Sequence, residues 1–161
     1  MKQIKIIIET IDKNKVRYPT VGDYFYDGDV LKIWVADMGN EDMNFLVCLH
    51  ELIEEYLTKK RGITEHDIMQ FDLMFEAERD KGLHTDEEEP GWDSRSPYKK
   101  EHAFAEAMER LMANELGVDW SVYNETVINF DVEPTEKIET INAGENHILH
   151  RIENERQENI S

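Results

Sequence analysis

The sequence predicts an α+β fold, with a small antiparallel sheet of N-terminal strands packed against about three helices. Three observations carry that expectation. The first 36 residues hold two β-branched runs and few helix signals. Three segments with helical periodicity and good end signals follow. Strands then come before helices rather than alternating with them, which argues against a parallel βαβ sheet. A length of 161 residues suits one domain. The globular part is expected over residues 1–133, and residues 134–161 read as an acidic C-terminal tail or extension.

Residues 2–11 are rich in Ile and read as a strand. Residues 16–29 carry turn signals at Pro19, Gly22 and Asp27-Gly28-Asp29, with Tyr18, Tyr24, Phe25 and Tyr26 among them. Val30 to Ala36 is a second strand, in which Leu31, Ile33 and Val35 alternate with a mixed face. Residues 41–61 form a helix whose expected core stripe is Phe45, Leu49, Leu52, Ile53 and Tyr56, with Gly62 as the stop. A second helix starts at Thr64, where Thr64 and Asp67 have capping-box spacing and Ile63 with Ile68 that of a hydrophobic staple. It runs to about Arg79. The acidic stretch Asp86-Glu87-Glu88-Glu89 reads as a solvated loop. Ser96 and Pro97 are expected to open a third helix that reaches Leu116, with Gly117 after it. Residues 119–123 fit a helical turn and 126–130 a strand.

Composition excludes several roles. Asp and Glu number 36 against 18 Lys and Arg, a net charge of −18. Like charges repel, so direct binding to nucleic acid or an anionic membrane is not expected. No run approaches the ~20 apolar residues that cross a bilayer. A lone Cys48 offers no internal disulfide and no thiolate cluster for zinc. The expected setting is soluble and cytoplasmic. No Gly-rich phosphate loop, G-x-S-x-G elbow or EF-hand spacing occurs.

The first helix contains His50-Glu51-Leu52-Ile53-Glu54. His50 and Glu54 are four apart and share a face, so together they can hold one divalent metal. Zinc is the expected ion, because it accepts both imidazole nitrogen and carboxylate oxygen. Glu51 stands where H-E-x-x-H hydrolases carry the general base that activates water. The third helix supplies His102, with Glu106 and Glu109 on the same face as alternative further carboxylates. Tyr98 or His84 is a candidate for the open position, as a polarising or oxyanion-stabilising group. The E-x-x-E/E-x-x-D pattern of all-α nucleotide pyrophosphohydrolases is met only in its first half, by Glu51 and Glu54.

Residues 28–110 resemble the minimal zincin core, in which an edge strand aligns a peptide above a helix bearing H-E-x-x-H. Here Glu54 replaces the second His. The resemblance implies a metallopeptidase-like hydrolase with the substrate peptide along Val30–Ala36. The chain also resembles small uncharacterised proteins of bacteriophages and mobile elements. The segments that carry this are Tyr18-Pro19-Thr20-Val21-Gly22-Asp23-Tyr24, Asp37-Met38-Gly39-Asn40, Leu46-Val47-Cys48-Leu49-His50-Glu51-Leu52, Pro97-Tyr98-Lys99-Lys100-Glu101-His102 and Glu109-Arg110-Leu111. That resemblance implies a phage-type origin and a host-cell cytoplasm, with no activity attached. The charge balance also allows a different class of function. In it, a non-enzymatic acidic protein inhibits a basic host factor, or mimics nucleic acid, through its acidic loop and tail. The expected partners are therefore a peptide or protein substrate, or a basic host protein.

Overall fold

A computed structural model describes residues 4–130; the acidic extension from 134 lies outside the described residues. The fold is α+β, with three strands and four helices longer than a single turn. Strands β1 (Lys5–Ile11), β2 (Gly22–Asp27) and β3 (Val30–Ala36) form one sheet in the order β1-β3-β2. Strand β3 is therefore central. It pairs antiparallel with β2 across the Gly28 hairpin, and parallel with β1. The fully antiparallel sheet expected from sequence is thus corrected to a mixed one. The expected peptide track along Val30–Ala36 is corrected as well, because both edges of β3 are already hydrogen-bonded to neighbours. The reason is β2. Its run Tyr24-Phe25-Tyr26, flanked by Gly and Asp, looks like a turn but folds as a strand, and it returns the chain so that β3 lies beside β1.

The alternation in β3 behaves as expected. Leu31, Ile33 and Val35 are buried, while Lys32 and Trp34 are half-covered on the other face. There, Phe25 meets Trp34 edge-on at 4.8 Å between ring centres.

Helix α1 (Glu41–Arg61) starts at Asn40, whose side chain accepts from Met43 N–H, and ends at Gly62 in a left-handed conformation. The face it buries differs from the expected stripe. Leu46, Val47 and Cys48 enter the core, whereas Phe45 and Tyr56 are about half exposed. The shift follows from the chain's polar content. Glu54, Glu55 and Thr58 also point inward, towards partners on β2 and on the third helix. Helix α2 (Glu65–Asp80) carries the full Thr64–Asp67 capping box. It buries Ile68, Phe71 and Phe75.

Helix α3 (Lys99–Leu116) begins two residues later than the Ser96–Pro97 signal suggests, with Tyr98 at the cap position. Residues 96–98 remain a turn that carries Tyr98 into the core. Helix α4 (Trp120–Ile128) covers most of residues 119–130, which the sequence reads as a turn plus a strand. Asp119 caps it by accepting from Val122 N–H, and Tyr123 is its buried residue. Helices α1 and α3 pack side by side, and Arg61 pairs with the buried Glu101 across them. No described helix is long and apolar enough to cross a membrane.

Candidate metal centre

The seam between α1 and α3 opens into a cavity of about 330 Å³, which also reaches β2 and α2. His50, Glu51 and Glu54 enter it from α1, and His102 and Glu109 from α3. Helical spacing explains the convergence: Glu54 is one turn beyond His50, and Glu109 two turns beyond His102.

His50, Glu54 and His102 form a group that could hold a metal ion, the candidate centre. His50 Nε2 lies 3.1 Å from His102 Nδ1 and 3.3 Å from Glu54 Oε2. His102 Nδ1 lies 3.0 Å from the same carboxylate oxygen. Four ligands held tetrahedrally at zinc's ordinary bond lengths of ~2.0–2.1 Å stand roughly 3.3 Å apart. The three donor atoms therefore already have the mutual spacing of one face of a zinc tetrahedron. Two imidazoles and a carboxylate are also a donor set that divalent zinc accepts.

The outward ring nitrogens are backed by carboxylates. His50 Nδ1 is 2.9 Å from Glu109 Oε2, and Tyr123 O–H donates to the other Glu109 oxygen. A carboxylate only accepts, so His50 Nδ1 carries a hydrogen towards Glu109, and Nε2 is the ring nitrogen turned to the centre. On His102, Nε2 faces Glu89 Oε2 at 3.4 Å, without the alignment of a full hydrogen bond.

Two glycines make room for these side chains. A Cβ on Gly91, in the 3-10 turn Pro90–Trp92, would overlap the His102 ring, coming within 2.6 Å of Cδ2. A Cβ on Gly22, the first residue of β2, would sit 2.7 Å from Val47 Cγ1 and 2.8 Å from Glu51 Cδ. Only a residue without a side chain fits either position.

The electrostatics of the centre suit a cation. Burial disfavours the His50 cation, yet its bonds to Glu109 and Glu54 outweigh that and hold its pKa well above the usual value. His102 shows the same opposition, between burial and its Glu54 and Glu89 partners, and rises to about 9. Burial would raise Glu54, but the two imidazoles override it and lower its pKa. Glu51 has no such hydrogen-bond partner among the described residues. Burial and then the Glu54 charge lift it to about 8. A divalent ion held by these imidazoles would take the place of their extra protons, so metal binding here displaces protons.

The other expected site residues are placed as follows. Of the two alternative carboxylates, Glu109 reaches the centre's outer side. Glu106 accepts from Trp92 Nε1 at 2.8 Å and from Arg110 Nε at 2.6 Å. Tyr98 lines the cavity, but its hydroxyl donates to Asp72 at 2.6 Å. His84 lies elsewhere, stacked on Phe75 and 2.9 Å from Glu78. Two residues with a place in the site escape the sequence pattern. Glu89 belongs to a charge run that reads as solvated, and Tyr123 to a segment with no clear pattern. The Glu89-Pro90-Gly91 sequence is the one signal that could have marked a tight approach to the core.

Comparison with known proteins finds no matching family model, no matching curated protein and no matching solved structure.

Proposed function

We propose that the chain is a divalent-metal hydrolase, with His50, Glu54 and His102 holding one ion, zinc by its donor set. The single observation that supports this best is the spacing of 3.0–3.3 Å among the three donor atoms. A carboxylate behind the His50 ring adds to it. Bound there, the ion would acidify a water and polarise a carbonyl. Glu51 lines the same cavity and is the general base in its ionised form, which the charge of a nearby divalent ion would favour. It takes the proton from the attacking water and returns it to the leaving group. Tyr123 and Glu109 keep His50 in one tautomer and orientation.

The proposed substrate is a peptide bond. Among the described residues no strand pairs with the outer edge of β2, where Thr20 and Arg17 donate to the Gly22 and Tyr24 carbonyls, and its first residues line the cavity. An extended peptide could add there by backbone pairing. The zincin-like character and the phage-type origin belong to this proposal.

The acidic-inhibitor reading draws less support from the loop it needs. Glu88 accepts from Thr85 N–H at 2.7 Å, and Glu89 faces His102. Those charges are directed at the protein itself rather than at a partner.

The test is Glu51→Gln in zinc-loaded protein, assayed against a peptide library. Peptide cleavage by the wild type that falls by at least 100-fold, with zinc content retained, is the expected result. Equal cleavage in wild type and variant would remove Glu51 from the mechanism.

A further inference from the structure

His50 and His102 differ in how their outward nitrogens are held. The His50 partner, Glu109, comes from the neighbouring helix and is itself fixed by Tyr123. The His102 partner, Glu89, comes from the segment at residues 83–95 that links α2 to α3. We propose that Glu89 is the positioning residue for His102. It orients the ring so that Nδ1, not Nε2, faces Glu54 and His50. This rests on the metal-centre reading above and assigns to the linking segment a part in it.

Four contacts make the linking segment a fixed strap. Arg79 Nε donates to Thr85 O at 3.2 Å, and the same guanidinium donates to Glu88 O. Lys99 Nζ donates to Trp92 O at 2.9 Å, and Trp92 Nε1 to Glu106 at 2.8 Å. Between these anchors, Glu89 Oε2 stands 3.4 Å from His102 Nε2, and Gly91 backs directly onto the ring. Trp92 meets the ring edge-on at 5.7 Å and Tyr98 at 6.0 Å. His102 Nε2 is buried and has no other partner among the described residues. Of the acidic run 86–89, only Glu89 pairs with a ring of the centre; Glu87 is exposed and makes no ion pair among the described residues. A ring bound through Nδ1 leaves an N–H at Nε2, and an acceptor there fixes the tautomer and raises the ligand's basicity.

The test has a metal-free and a metal-loaded arm. In metal-free protein, Glu89→Gln and His102→Gln form a double-mutant cycle read by melting temperature. The expected result is that the drop caused by Glu89→Gln disappears when His102 is already Gln. Additive drops would overturn the pairing. In the loaded arm, zinc affinity is read by competition with a chromogenic chelator. Glu89→Gln is expected to weaken it by roughly 10–100-fold, with Glu87→Gln unchanged. The cobalt-substituted absorption spectrum is expected to keep its band positions in Glu89→Gln, as it should when an outer carboxylate rather than a ligand is lost. Equal zinc affinity would overturn the positioning role, and a changed cobalt spectrum would overturn it by making Glu89 a ligand. Wild-type protein that takes up no zinc would overturn the metal centre itself, and the metal-free cycle would still decide whether Glu89 holds His102.

Discussion

At the scale of single residues, the centre depends on where side chains are missing as much as on where they are present. Gly91 is not among the described glycines with positive φ, so Gly91→Ala costs little in conformation. Its methyl would instead press on the His102 ring. Gly91→Ala is expected to weaken zinc binding by at least 10-fold, measured by chelator competition, while the helical circular dichroism stays unchanged. Gly22→Ala should act on Glu51, lowering peptide cleavage more than metal uptake. The ligand pair on α1 is legible from sequence because an i, i+4 spacing fixes two side chains on one face whatever surrounds the helix. Glu109 cannot be told from Glu106 that way, since both lie on the His102 face. The structure separates them by their other partners: Trp92 and Arg110 engage Glu106, and Tyr123 holds Glu109. Arg110 is at i+4 on the same helix, but Trp92 and Tyr123 lie on other elements, beyond the reach of local spacing.

At the scale of elements, helix boundaries are legible where a cap defines them, as at Asn40, Thr64, Gly62 and Gly117. They are hidden where tertiary packing overrides the local signal. Tyr98 is drawn into the core to reach Asp72 on α2, so α3 opens after the Ser96–Pro97 signal. The Tyr98–Asp72 contact also has a pH signature. Burial raises the Asp72 carboxyl to about 7 despite the hydrogen bond from Tyr98. A carboxyl raised on folding stabilises the fold below its unfolded pKa near 4, and that contribution is lost as pH rises through about 7. Asp72→Asn keeps an acceptor for Tyr98 and has no charge to bury. Thermal melts at pH 5 and pH 8 should therefore show a smaller loss of stability in the variant than in wild type. An equal loss in both would mean that Asp72 does not titrate in this range. In α1, Leu46 is fully buried against the sheet, and Leu46→Ala should cost about 2–5 kcal/mol in urea unfolding. Phe45→Ala, on the half-exposed face, should cost far less.

At the scale of the whole molecule, the class α+β is legible because order and periodicity report it, but strand pairing is not. A parallel β1–β3 pair needs a connection that returns the chain to the same end of the sheet. Here a 3-10 turn and β2 make that connection, and β2 is hidden by its aromatic and Gly-Asp composition. The outer strand beside the cavity is therefore β2 rather than β3. The sheet, both long helices of the seam, the strap and α4 all contribute to one centre: β2 through Gly22, α1 through His50 and Glu54, α3 through His102 and Glu109, the strap through Glu89, and α4 through Tyr123. A ligand that ties so many elements should stabilise the fold as a unit. Zinc at 100 times its dissociation constant is worth about 2.7 kcal/mol, which a thermal melt resolves. The most direct measurement is the zinc content of untagged protein purified without chelator, beside His50→Ala and His102→Ala. One zinc per chain in the wild type, lost from both variants, is the predicted result. No stoichiometric metal in the wild type, or full retention in both variants, would contradict a centre built from α1 and α3.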